Sequence, residues 1–136
     1  MKIYFAASIR GGRDDGEIYL KLIEHLKKYG PVLTEHIADS SLTARGENKF
    51  SDEEIYIRDL DWLKSADVVI AEVTNPSFGV GYELGRAEIL GKPILCLFRD
   101  KTDRRLSAMI SGNSRLIVKK YAQINEALKH IDSFFA

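Results

Sequence analysis

Two carboxylates stand where a carboxylate needs a reason to be. Asp59 lies on a predicted helix in step with Ile55, Trp62, Leu63 and Ala66, at three- and four-residue intervals, and so falls on the apolar stripe. Burying it alone would be costly, so it must have a partner or face a polar cleft. An ion pair with Arg58 and a catalytic role fit that position equally well. Glu83 falls within Asn75–Arg86, where Gly79, Gly81 and Gly85 sit inside what must be a helix. Each glycine costs about 1 kcal/mol relative to alanine, so close approach by a ligand or another backbone is the expected compensation. By residue type alone, pairing of Glu83 with Arg86 or a solvent cation is the commoner outcome. The surrounding glycines weigh against it.

The segment Ser8-Ile9-Arg10-Gly11-Gly12 offers a hydroxyl, backbone N–H groups open to close approach and a guanidinium, which together suit a phosphate. A plain turn with a solvated arginine fits equally. Ser77 is placed to cap the helix that follows, and a phosphate can share that N-terminus. The Walker pattern is missing, which disfavours ATP or GTP hydrolysis. Leu84 occupies the place of the third glycine of a dinucleotide fingerprint, so that motif is rejected. Asp67 begins a strand, away from the expected cleft, whereas Glu72 and Glu35-His36 lie nearer to it. For a lone His36 a structural role is the more frequent outcome.

The elements that must position these residues alternate along the chain. Strand Ile3–Ala7 is followed by a helix from Glu17 to Tyr29, stopped by Gly30-Pro31, and by a short strand at Val32-Leu33. A polar loop, Ala38–Asp52, leads to a helix ending near Ser65, then to the apolar strand Val68–Val73 and a helix over Phe78–Leu90. Strand Ile94–Phe98, polar loop Arg99–Arg105, a short helix near Leu106–Ile110, strand Leu116–Val118 and a helix over Gln123–Phe135 complete the series. This predicts an α/β doubly wound domain, flavodoxin- or Rossmann-like, with a five-stranded parallel sheet in the order 2-1-3-4-5. Ligands in such sheets bind beyond the carboxyl ends of the strands, near the switch between strands 1 and 3.

At 136 residues and 45% hydrophobic content the chain suits one domain over 1–136. Twenty basic against twenty acidic residues leave no global field toward polymeric nucleic acid or membrane. No window approaches a membrane span and no secretory signal is present, so a cytoplasmic protein is expected. Cys96, inside Ile94–Phe98, reads as a small buried hydrophobe, and His25, His36 and His130 lack zinc spacing, so neither metal nor cofactor is expected.

With these residues in view, the chain resembles the nucleoside 2-deoxyribosyltransferase superfamily, in its 2'-deoxynucleoside 5'-phosphate N-hydrolase branch. The resemblance is carried by Tyr4-Phe5, Ser8 to Arg13, Leu33 to His36, Asp59-Leu60 with Trp62-Leu63, Ala66 to Val69, Ala71 to Thr74, Pro76-Ser77 with Gly79 to Arg86, Ile94 to Arg99, and Leu106 to Ile110. It implies hydrolysis of a deoxynucleoside monophosphate to free base and 2-deoxyribose 5-phosphate. Glu83 matches the family's nucleophile, Asp59 the acid that assists base departure, and Tyr4 the tyrosine that holds the nucleophile. Ser8, Ile9, Arg10, Gly11 and Ser77 match phosphate contacts, with Ala7 and Gly12 flanking them, and Ala7 stands where the family has glycine. Tyr19 and His36 match residues lining the site. Ser107, Ala108 and Met109 match a segment supplied across a homodimer interface.

The chemistry agrees with that assignment. Departure of a base builds oxocarbenium character, so one carboxylate should lie ionised beneath the sugar while a second protonates the leaving group. A retaining route places such groups about 5 Å apart. The phosphate would orient the sugar and select monophosphates. Two rivals stand beside this reading: a transferase in which a second base intercepts the glycosyl-enzyme, and a nucleotide-binding domain without turnover.

Overall fold

The computed structural model describes residues 1–9, 13–38, 49–100 and 103–136, and of residues 13, 14 and 38 only the backbone. Strand β1 (Ile3–Ala7) is buried at every position, as are β2 (Val68–Glu72) and all but the last residue of β3 (Ile94–Arg99). Near-continuous apolar runs of this kind suit parallel strands covered on both faces. The sheet is parallel throughout, in the order β1-β2-β3-β4, with β4 spanning Ile117–Tyr121. Tyr4 lies beside Val69, and Ala7 beside Glu72.

Alternation along the strands divides the core in two. Ile3, Phe5, Val68, Ile70, Leu95 and Leu97 face helices α1 (Arg13–Leu26) and α5 (Ile124–Phe135). Tyr4, Ala6, Val69, Ala71, Cys96 and Phe98 face the layer of α2 (Asp52–Ser65), α3 (Phe78–Ile89) and α4 (Ala108–Ser111). This parity puts the Tyr4 side chain under α2 and α3.

Two expectations require correction. The sheet has four strands among the described residues, in the succession expected for strands 1, 3, 4 and 5, and the fifth is reduced to a single parallel bridge between Ile3 and Val32. Ile3 donates to the Pro31 carbonyl at 2.9 Å and Leu33 donates back to Ile3 at 2.9 Å. Beyond that point the Thr34 hydroxyl accepts from the Phe5 amide at 2.9 Å and donates to the Phe5 carbonyl at 2.6 Å. A side chain thus satisfies the edge of β1 where further strand would have done so, and the chain turns into the 3-10 turn Glu35–Ala38. Helix α1 starts at Arg13, four residues before the expected Glu17, and ends at Leu26 before the turn at Gly30. A Cβ at Gly30 would meet the Met1 carbonyl oxygen at 1.8 Å, so only glycine fits there.

Ser51 caps α2 in a reciprocal capping box with Glu54, which accounts for its start. Ser77 caps α3 by accepting from the Val80 amide at 3.2 Å. No helix among the described residues is long and apolar enough to cross a membrane.

Candidate active site

A cleft of about 520 Å³ opens beyond the carboxyl end of β1, between α2 and α3, lined by Ala7, Ser8, Ile9, Asp59, Ser77 and Glu83 among others. The elements fold to place each of these. Tyr4 rises from β1 at 1% exposure, and its hydroxyl donates to Glu83 Oε2. Burial, then the charge of Glu83 and the hydrogen bond to it, then Asp59, push the Tyr4 phenol far above its ordinary value, so it remains a donor at any working pH. Glu83, on α3, is pushed up to about 7 chiefly by burial; the Tyr4 hydrogen bond opposes this and the negative charge of Asp59 adds to it. Arg86, the alternative partner, donates instead to the Tyr82 hydroxyl at 3.1 Å.

Asp59 does have the structural partner that the sequence allowed. Arg58 Nε and Nη2 reach its Oδ1 at 2.9 and 2.8 Å, while Asp59 still lines the cleft. The two roles weighed for it therefore coexist in one position.

At the other end of the cleft the Ser77 hydroxyl sits at the N-terminus of α3, and Ser8 is buried with its carbonyl accepting from the Tyr19 hydroxyl at 3.1 Å. Tyr19 is itself 3% exposed and packed edge-on against Phe5, so it supports Ser8 from beneath rather than lining the cleft. His36 likewise stands behind Arg58, with Nε2 at 3.3 Å from Nη2. Arg10, Gly11 and Gly12 lie outside the described residues, as do 39–48 of the polar loop and 101–102.

Ser107, Ala108 and Met109 are apart from this cleft within one chain. Ser107 caps α4 by accepting from the Met109 amide at 3.2 Å, and with Met109 it borders a second, mostly apolar groove of about 470 Å³ between α3 and α4. The two cavities share Pro76, Ser77, Phe78 and Val80. Gly81 and Gly85 open onto the groove, and a Cβ at either would meet nothing within 4 Å, so the expected close contact is not made inside this chain. Gly79 is different: a Cβ there would approach the Ser77 hydroxyl at 3.7 Å and Glu83 Oε1 at 4.0 Å, on the cleft side.

Some contributors were not singled out in the sequence. Tyr56 and Asp52 also line the cleft, one helical turn and two turns before Asp59, so extending the helical spacing backward from Asp59 would have found them. A second buried cluster had no such signal. Arg99 Nη2 binds Asp15 Oδ1 at 2.7 Å, Asn75 donates to the other oxygen of Asp15, and Arg99 N donates to Thr74 Oγ1 at 2.8 Å. Glu72 joins it, accepting from Thr74 N at 2.7 Å, from Thr74 Oγ1 at 2.8 Å and from Tyr121. These bonds tie the carboxyl ends of β2 and β3 to the start of α1, and account for Glu72 as structural. Asp67 is at the amino edge as expected, accepting from the Lys2 amide at 2.7 Å.

Fold and site together define an α/β protein with two neighbouring carboxyl groups, one anchored by a tyrosine, at a cleft of small-molecule size. The family model for nucleoside 2-deoxyribosyltransferase matches residues 3–126, and the chain belongs to that family. A 5-hydroxymethyl-dUMP N-hydrolase from Mus musculus is 58% identical over 125 residues, covering 89% of this chain and 72% of the relative. The protein of the same name from Rattus norvegicus is 53% identical over 137 residues, covering 98% and 83%. A solved structure of a CMP N-glycosidase from Clostridium botulinum shares the fold, with a TM-score of 0.70 at 22% identity over 98% of this chain and 99% of that one.

Proposed function

We propose that this protein hydrolyses the N-glycosidic bond of 2'-deoxynucleoside 5'-monophosphates, releasing the free base and 2-deoxyribose 5-phosphate. The observation that carries the reading is Glu83, held by the Tyr4 hydroxyl in the wall of a cleft that also presents Asp59 and Ser77. The names borne by the mouse and rat relatives point to the same reaction class.

In this reading the substrate phosphate sits at the Ser8 and Ser77 end, where the N-terminus of α3 favours an anion. That places the sugar over Glu83 and the base toward Asp59. As the bond from C1' to the base nitrogen breaks, its electron pair leaves with the base, which takes a proton from Asp59, and a Glu83 oxygen bonds to C1'. Water then attacks C1', gives its proton to Asp59 and releases Glu83. The Tyr4 donor keeps the nucleophilic oxygen oriented and favours its ionised form. The active pair thus carries one proton, on Asp59. Loss of the pair's last proton near pH 7, where burial places Glu83, should set the alkaline limb of kcat/KM.

A homodimer is part of the proposal. Phe78 is fully exposed, Met109 is 84% exposed, and Gly81 and Gly85 lack any internal neighbour that explains them. A second copy seated on this face would cover the apolar groove and present Ser107 to Met109 to the neighbouring cleft.

The test is to follow deoxynucleoside monophosphates by chromatography with and without an added acceptor base. Free base formed at the same rate in both supports transfer to water. Turnover only when the acceptor is present, with a new nucleotide as product and no base released without it, would make the protein a transferase and overturn the hydrolase reading.

A further inference from the structure

Arg58 is placed unlike an ordinary surface arginine. Two of its nitrogens converge on Asp59 Oδ1, its guanidinium lies 4.8 Å from the Trp62 ring centroid and 5.4 Å from that of Phe50, and Nη2 stands 3.3 Å from His36 Nε2. The Trp62 ring is also 5.6 Å from the His36 ring, so the arginine is enclosed between α2 and the 3-10 turn. About a quarter of the side chain is exposed. Among the described residues it meets, on the cleft side, the Asp59 carboxyl group that must give up a proton, with a set of rings behind it.

We infer that Arg58 is a positioning residue that governs how the single catalytic proton is shared between Asp59 and Glu83. The inference rests on the hydrolase reading for its consequence in catalysis and on the geometry alone for the coupling. An adjacent guanidinium favours ionised Asp59, and ionised Asp59 in turn favours proton retention on Glu83. Among the described residues, other groups face Asp59 or Arg58: Asp52 and Tyr56 from α2, Tyr82 and Glu83 from α3, Tyr4 from β1 and His36 from the 3-10 turn. Arg58 carries a permanent positive charge and touches Asp59 directly. Arg58 thus works against the proton-bearing form of Asp59 needed for base departure, and loosening the Arg58 pair enlarges that form.

The test compares wild type with Arg58→Gln and Arg58→Leu, which remove the charge, and Arg58→Lys, which keeps it. Carbon-13 NMR of labelled aspartate, with the Asp59 signal assigned by its loss in Asp59→Asn, reads the coupling without substrate. The midpoint for Asp59 should move up by about one pH unit in the charge-free variants and by less than half as much in Arg58→Lys. The pH profile of kcat/KM for 5-hydroxymethyl-dUMP should move in parallel: the acid limb rises by about one unit while the limb near pH 7 stays. The substrate's own phosphate titration is common to all variants and does not move.

A merely structural tie would lower activity and leave both limbs and the NMR midpoint in place, and that result overturns the inference. An equal shift in Arg58→Lys overturns it as well. If wild type hydrolyses no deoxynucleotide, the functional reading fails while the NMR comparison still decides the role of Arg58.

Discussion

At the scale of single residues, Glu83 combines the nucleophile's task proposed for it with a thermodynamic burden. Its carboxyl group is pushed up from the ordinary 4.5 to about 7, mainly by burial. Between those values the unfolded chain has released the proton and the folded one still holds it, so stability declines as pH rises through that window and levels off above it. The loss is about 3 kcal/mol for a shift of this size. Urea unfolding at pH 5 and pH 8 should show it in wild type and not in Glu83→Gln; equal pH dependence in the two proteins would contradict the placement. Tyr4→Phe removes the donor that favours ionised Glu83, so the limb near pH 7 should move up by about one unit in a pH profile of kcat/KM. Asp59 was legible because a carboxylate on an apolar stripe is anomalous by residue type alone. The partnership of Tyr4 with Glu83 was not, since it joins positions 79 residues apart and emerges only when strand parity turns Tyr4 toward α3. The resemblance, not the periodicity, pointed to it.

Among the elements, α3 was readable from its cap at Ser77, and α2 begins at the polar Ser51-Asp52 where Ser51 and Glu54 form a capping box, whereas α1 starts four residues before its expected bound. Local chemistry of this kind is written in neighbouring residues. The short strand after α1 was misjudged because Val32 and Leu33 have strand character, whereas the Thr34 hydroxyl completes the edge of β1 in place of a longer strand. A side chain replacing a ladder bond has no hydrophobic period to betray it. Glycines within α3 lead to a prediction at this scale. Gly85→Ala meets nothing within 4 Å inside the chain and improves helix propensity, so it should raise the unfolding free energy of the monomer by about 1 kcal/mol. Sedimentation velocity should at the same time show a larger monomer fraction, because in the proposed dimer the added methyl would face the second copy. A dimer of undiminished strength would remove α3 from the interface.

For the whole molecule, the sheet brings β1, α2 and α3 to one edge and leaves α4 beside it, and the proposed homodimer would complete the site with a second chain. Subunit mixing tests this. Glu83→Gln and Ser107→Trp should each be inactive alone, while mixed dimers regain activity at the site that combines intact Glu83 with the partner's intact Ser107. Absence of any recovery in confirmed mixed dimers would contradict a shared site. Parallel topology was legible because buried strands alternate with capped helices. The proposed dimer face was not legible from composition or periodicity, since exposed Phe78 and Met109 would serve any partner.

The measurement that bears most directly on the central claim is chromatography of free base released by wild type and by Glu83→Ala. The panel comprises deoxynucleoside 5'-monophosphates, the matching ribonucleotides and unphosphorylated deoxynucleosides. Base should appear from the phosphorylated deoxy substrates with wild type, and folded Glu83→Ala should release at least about a thousandfold less, the scale of losing a covalent nucleophile. Near-normal release by a folded Glu83→Ala protein, or release from the unphosphorylated deoxynucleosides alone, would contradict the assignment of nucleophile and phosphate handle.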